Sequence, residues 1–208
     1  QWIYRHLLNN KSDTTPRMGM GNSAEFGCAI SLFYNRSDAD VVEHSTKHMV
    51  NQFDGEWFDE TDKVGSISVN LANAIKEHFP DAGIPHLFQS YKRHSLSSLE
   101  YPITTVTDFE YENMIVDTKA TLAVPTKPRE DHVRQQSLYS VLLGKPATLV
   151  YASHKKFRVF ELSEEMISEW IDKQPNNIGA HWSLYELYME SGSQKILDVM
   201  EKVTKVEQ

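Results

Sequence analysis

A single cysteine, Cys28, stands in 208 residues. One thiol excludes an intramolecular disulfide, a cysteine-rich zinc site and a four-cysteine iron–sulfur cluster. No apolar run approaches the roughly 20 residues that a helix needs to cross a bilayer. Nothing reads as a signal peptide either, so a cytoplasmic protein without a membrane partner is expected. The glycine-rich motifs that cradle phosphates, G-x-x-x-x-G-K-[ST] and G-x-G-x-x-G, are missing. So are the G-x-S-x-G elbow of serine hydrolases and the H-E-x-x-H of zinc proteases. Positive charge is scarce: 21 Lys and Arg face 29 Asp and Glu, a net charge of −8. That balance argues against a polyanionic ligand held by bulk positive charge. Such a ligand would have to be met by a local basic groove or by bound cations.

What is present suits one globular domain. Apolar residues make up 40% and charged residues 24% of the chain, and the length is enough to bury a real core. Periodicity predicts a short amphipathic helix over Gln1–Asn10, a loop over Lys11–Met20, and helices from near Asn22 to Tyr34 and over Ala39–Gln52. An acidic loop holds Asp54, Glu56, Asp59, Glu60 and Asp62. Val64, Ile67, Leu71, Ile75 and Phe79 then mark a third helix that Pro80 ends. β-Branched and aromatic residues predict strands over His86–Arg93, Tyr101–Tyr111 and Met114–Leu122. A proline-bearing loop leads to a helix over Asp131–Leu143, closed by Gly144. Strands over Ala147–Tyr151 and Phe157–Leu162 follow. Ser163 caps a helix with Met166, Ile167, Trp170 and Ile171 on its apolar side, and a last helix or two fill Ile178–Val203. The expected class is α/β, a mixed sheet flanked by helices. Residues 1–80 form its helical part, 84–162 its sheet core and 163–208 its C-terminal helices.

The chemistry concentrates in Asp108-Phe-Glu-Tyr-Glu-Asn-Met-Ile-Val-Asp117-Thr118-Lys119. A hairpin turning at Glu112-Asn113 pairs Glu110 with Ile115, Phe109 with Val116, and Asp108 with Asp117. Directly opposed residues share a face with Cβ atoms about 4.5–5.5 Å apart, and Lys119 lies two residues on, on the same face as Asp117. Opposed carboxylates are unfavourable on a plain sheet, but a divalent cation reverses the sign. The competing reading is a surface hairpin on which Lys119 neutralises two exposed aspartates. The apolar Met-Ile-Val run before Asp117 speaks for a buried strand instead.

The run PITTVTDFEYENMIVDTKAT resembles the core hairpin of PD-(D/E)XK nucleases, in particular the RecB-like branch that includes many phage exonucleases. That branch carries a helix with Q-x-x-x-Y, and HVRQQSLYSVLLG supplies Gln135 and Tyr139 at i,i+4. Further similarity lies in GMGNSAEFGCAISLF, with Glu25 where the family often has a histidine, and in ATLVYASHKKFRVFELSEE. Thr105 stands where a glycine is common. The resemblance spans about Gly19 to Trp170 and implies a restriction-endonuclease-like fold. It implies hydrolysis of DNA phosphodiesters with Mg²⁺ or Mn²⁺, by an exonuclease of phage replication or recombination acting in the host cytoplasm. Asp108, Asp117, Glu25 and the Thr118 carbonyl would ligate the metal. Lys119 would assist the attacking water, and Gln135 and Tyr139 would position the scissile strand or support the lysine. Two alternatives remain open: a non-catalytic nuclease-fold assembly module and a site-specific endonuclease. The nuclease reading is compatible with a homo-oligomer or with a replication or recombination protein as partner.

Other residues divide similarly. Lys127, Arg129 and Arg134, with Lys155, Lys156 and Arg158, read as a phosphate track toward the acids or as ordinary solvated cations. His44 and His48 have a metal-compatible spacing but no third ligand, and read as exposed helix histidines. Glu25 shares a helical face with Cys28, Ala29 and Leu32 and needs a partner. That partner is either the metal or, with Asn22 as N-cap, the Asn22 amide in a capping box.

Overall fold

The computed structural model describes residues 14–95 and 103–172. The helices expected over Gln1–Asn10 and Ile178–Val203 lie outside them, as do the start of the second strand and the side chains of Trp170 and Ile171. Three helices come first: α1 (Pro16–Tyr34), α2 (Asp38–Gln52) and α3 (Thr61–His78). Strands β1 (Leu87–His94), β2 (Ile103–Glu110) and β3 (Ile115–Ala120) follow, then α4 (Glu130–Leu143), β4 (Ala147–Ala152), β5 (Phe157–Glu161) and α5 (Glu164–Asp172). The strands make one sheet in the order β1-β2-β3-β4-β5. All neighbours are antiparallel except β3 and β4, which run parallel across the α4 crossover. The protein is thus α/β, a five-stranded mixed sheet flanked by helices.

Alternation along the strands gives two cores. One lies under α1–α3, where Met20, Ala24, Cys28, Val64, Ile67, Leu71 and Ile75 meet Phe109, Tyr111, Val116 and Val150. The other lies under α4 and α5, where Tyr139, Met166 and Ile167 meet Ile115, Leu149 and Tyr151. Burial on both faces is why β3 and β4 read as nearly continuous apolar runs. Glu110 ties the sheet together in one corner. Its carboxylate receives Lys92 from β1 and Lys145 from the turn before β4, each at 2.7 Å.

One boundary departs from the sequence reading in a way that matters. α1 begins at Pro16, not near Asn22. Thr15 caps it by accepting the Met18 amide, and proline is pre-organised for the first helical position. Gly19 and Gly21 suggest a loop, but a Cβ on Gly19 would stand 2.4 Å from the Phe53 ring. Gly19 thus sits inside a helix to let Phe53 approach. Asn22 is therefore mid-helix and bonds Gln52 at 3.4 Å. The capping box for Glu25 does not exist.

Candidate functional site

The hairpin has the expected register: Phe109 pairs with Val116, Glu110 with Ile115, and the Tyr111 amide donates to the Met114 carbonyl. Those two pairs are the whole β2–β3 ladder. At the next step, Asp108 against Asp117, the strands part. The Thr118 amide donates to Asp108 Oδ2 at 2.6 Å and the Thr118 hydroxyl to the same oxygen at 2.9 Å. A side-chain carboxylate thus replaces a strand carbonyl as acceptor. Across β1 the same level carries Gln89, whose φ of 48° is left-handed. That costs a non-glycine residue of order 1 kcal/mol. The strain falls beside the site, and Gln89 hydrogen-bonds Glu25.

Lys119 reaches back to Asp117, with Nζ 2.6 Å from Oδ2. The other oxygen, Oδ1, accepts from Gln136 Nε2 at 2.9 Å. Both Asp117 and Gln136 are buried. Glu25 comes from α1, and its electrostatics place it with this group. Burial and the neighbouring Asp108 and Asp117 carboxylates push its carboxyl up to about 8. Burial and Asp108 push Asp117 up to about 7. Burial also raises Asp108, against Lys119 and the two Thr118 bonds. The Lys119 ammonium loses solvation on burial, yet Asp117 and Asp108 hold its affinity for the proton above the ordinary value. Three acids therefore share a poorly solvated spot with one ammonium.

The wall opposite the acids is α4, but not along the Gln135/Tyr139 stripe. Gln135 is exposed and reaches only the Tyr139 hydroxyl, at 3.4 Å. Tyr139 packs in the second core. The stripe facing the site is His132 and Gln136, also i,i+4, about 100° round the helix. Assigning support of the lysine to Gln135 is thus corrected: Gln136 holds Asp117, and Gln135 points away. His132 Nδ1 lies 2.6 Å from Tyr151 Oη, and Tyr151 is the register partner of Lys119. His132, Gln136, Tyr151 and Gln89 are site residues that motif reading overlooks.

The basic residues gather at the end where β3 and β4 both finish. Lys127, Arg129, Arg134, Lys155, Lys156 and Arg158 are all exposed. Arg158 donates to the Thr126 carbonyl at 2.9 Å and so ties β5 to the loop before α4. Arg129 is committed to Asp131 through two bonds, 2.8 and 3.1 Å. His44 and His48 do not converge. His44 bonds its own helix at the Asp40 carbonyl, while the half-buried His48 stacks on Phe26 and meets Ser23.

No family model matches the chain, and no curated protein matches it. Among solved structures, the crystal structure of SSO0001 superposes with a TM-score of 0.35 at 13% identity, covering 84% of this chain and 83% of that one.

Proposed function

We propose that the protein is a divalent-cation-dependent nuclease that hydrolyses DNA phosphodiesters, on a restriction-endonuclease-like sheet of the PD-(D/E)XK type. The observation that carries this reading is the gathering of Glu25, Asp108, Asp117 and Lys119 where β2 parts from β3. Three poorly solvated carboxylates, the buried Asp117 among them, are unfavourable against one ammonium. An all-oxygen donor set suits a hard cation such as Mg²⁺ or Mn²⁺. As placed, no three His, Cys, Asp or Glu side chains among the described residues form a complete ligand set. The fit rests on donor chemistry and excess charge, with the Thr118 carbonyl, phosphate and water to complete the shell.

Asp108, Asp117 and Glu25 would hold the cation. When bound, it supplies Lewis acidity toward a phosphoryl oxygen and a more acidic water. Lys119 orients the attacking water or neutralises charge growing on the phosphoryl oxygens. Gln136 fixes the carboxylate plane of Asp117, and Gln89 does the same for Glu25. Lys127, Lys155 and Lys156 offer charges along the strand's approach.

The test is cleavage of end-labelled linear single- and double-stranded DNA, with a circular control, with and without Mg²⁺ or Mn²⁺. Metal-dependent shortening from an end is expected, abolished by Asp117→Asn and by Lys119→Ala. Cutting of the circle would make the enzyme an endonuclease instead. No cleavage under any of these conditions would leave the assembly-module alternative.

A further inference from the structure

Beyond the four charged residues, α4 and β4 bring together a pair, His132 and Tyr151, that the proposed chemistry does not use. Tyr151 is buried at the level of Lys119 on the neighbouring strand. Its hydroxyl oxygen accepts the Arg129 amide at 3.2 Å and lies 2.6 Å from His132 Nδ1. If Nδ1 carried a proton, the oxygen would accept twice and the phenol proton would be buried without an acceptor, an unfavourable arrangement. The phenol therefore donates to Nδ1, and the imidazole proton sits on Nε2. Asp131 Oδ2 is 3.9 Å from Nε2, beyond hydrogen-bond reach, and is held by Arg129. The imidazole is only partly buried, with 21% of its side chain exposed. The result is a neutral N–H donor at the rim of the acid site, its tautomer set by a buried phenol.

We propose that His132 is a substrate-positioning residue that donates from Nε2 to a non-bridging oxygen of a DNA phosphodiester lying against Lys119. The proposal rests on the nuclease reading for its substrate but not for its tautomer. A neutral donor suits this place. It binds phosphate in substrate and transition state alike, and it adds no cation to compete with Lys119. Its contribution is expected in KM more than in kcat.

Two measurements separate this proposal from the nuclease reading. The first is long-range ¹H–¹⁵N spectroscopy of the imidazoles, with dimethyl phosphate as probe. The wild type should show His132 as the Nε2–H tautomer, with Nε2 shifting on titration. Tyr151→Phe should lose the tautomer bias. A Nδ1–H tautomer in the wild type, or no shift with dimethyl phosphate, overturns the proposal whether or not DNA is cut. The second is steady-state cleavage. His132→Ala should raise KM about tenfold, as for loss of one hydrogen bond to a charged group, with a smaller change in kcat. His132→Gln, whose amide can reach the Nε2 position, should recover most of the loss. An active enzyme in which His132→Ala leaves KM unchanged overturns His132 as a phosphate contact and leaves the nuclease reading intact. An inactive wild type removes the nuclease reading, and the spectroscopic arm alone then decides.

Discussion

At the scale of single residues, Glu25 now has one partner where the sequence offered two. With α1 starting at Pro16, its carboxyl cannot cap its own helix, and its neighbours are Gln89, Asp108 and Asp117. Glu25→Gln keeps the shape and replaces a carboxyl whose ionisation burial and the neighbouring acids already oppose. It should therefore melt no lower than the wild type in chelator, yet lose most cleavage. Mg²⁺ should raise the wild-type Tm by linkage and raise that of Glu25→Gln far less. Equal stabilisation of both proteins by Mg²⁺ would take Glu25 off the ligand set. His48 offers an independent pH test. Burial against Phe26 lowers its proton affinity below the usual histidine value of 6.5. A depressed folded value favours the neutral ring, so its contribution is fully present above the unfolded pKa, about 6.5. It is lost as pH falls below that. Between pH 7 and pH 5 the urea midpoint of the wild type should fall relative to that of His48→Phe, because the raised acids contribute equally to both curves. Parallel curves for the two proteins would contradict it.

Elements were legible where alternation or a 3.6-residue period reports a buried face. The strands and α2–α4 fall within a few residues of their expected bounds, and the Glu110–Ile115 register follows from the turn. Two features escaped for physical reasons. The stripe of α4 against the site is His132 and Gln136, both polar, and apolar periodicity cannot see a polar face turned inward. Q-x-x-x-Y therefore drew attention to the neighbouring stripe. The helical start of α1 was hidden because Gly19 serves close packing instead of chain reversal. Gly27 serves close packing too. A Cβ there would stand 2.5 Å from Ser68 Oγ and 2.8 Å from Ser45 Cβ, so α2 and α3 crowd α1 from two sides. Gly27→Ala should cost about 1–3 kcal/mol by overpacking, read from urea denaturation. Because Glu25 rides on the same helix two residues earlier, cleavage should fall as well. Unchanged stability would mean that the three helices separate easily.

For the whole molecule, an acidic chain must meet a polyanion at one end of its sheet. Lys127, Lys155 and Lys156 lie there with no acidic partner among the described residues, whereas Arg129 is paired with Asp131. Replacing the three lysines by alanine should flatten the salt dependence of DNA binding by roughly 0.7–0.9 in slope per lost contact. Arg129→Ala should leave the slope nearly unchanged. A triple variant with the wild-type slope would show these lysines to be merely solvated. The sheet itself is sewn unevenly. β1 with β2, and β3 with β4 and β5, form two well-laddered parts joined by the pairs Phe109–Val116 and Glu110–Ile115, and beyond them by the Asp108–Thr118 bonds. The Thr118 amide is thus shielded by a carboxylate and not by a neighbouring strand's backbone. Its hydrogen–deuterium exchange then becomes a natural reporter of the site. Any ligand that draws Asp108 away should speed exchange at Thr118, while the amides that β3 shares with β4 hold their protons unchanged.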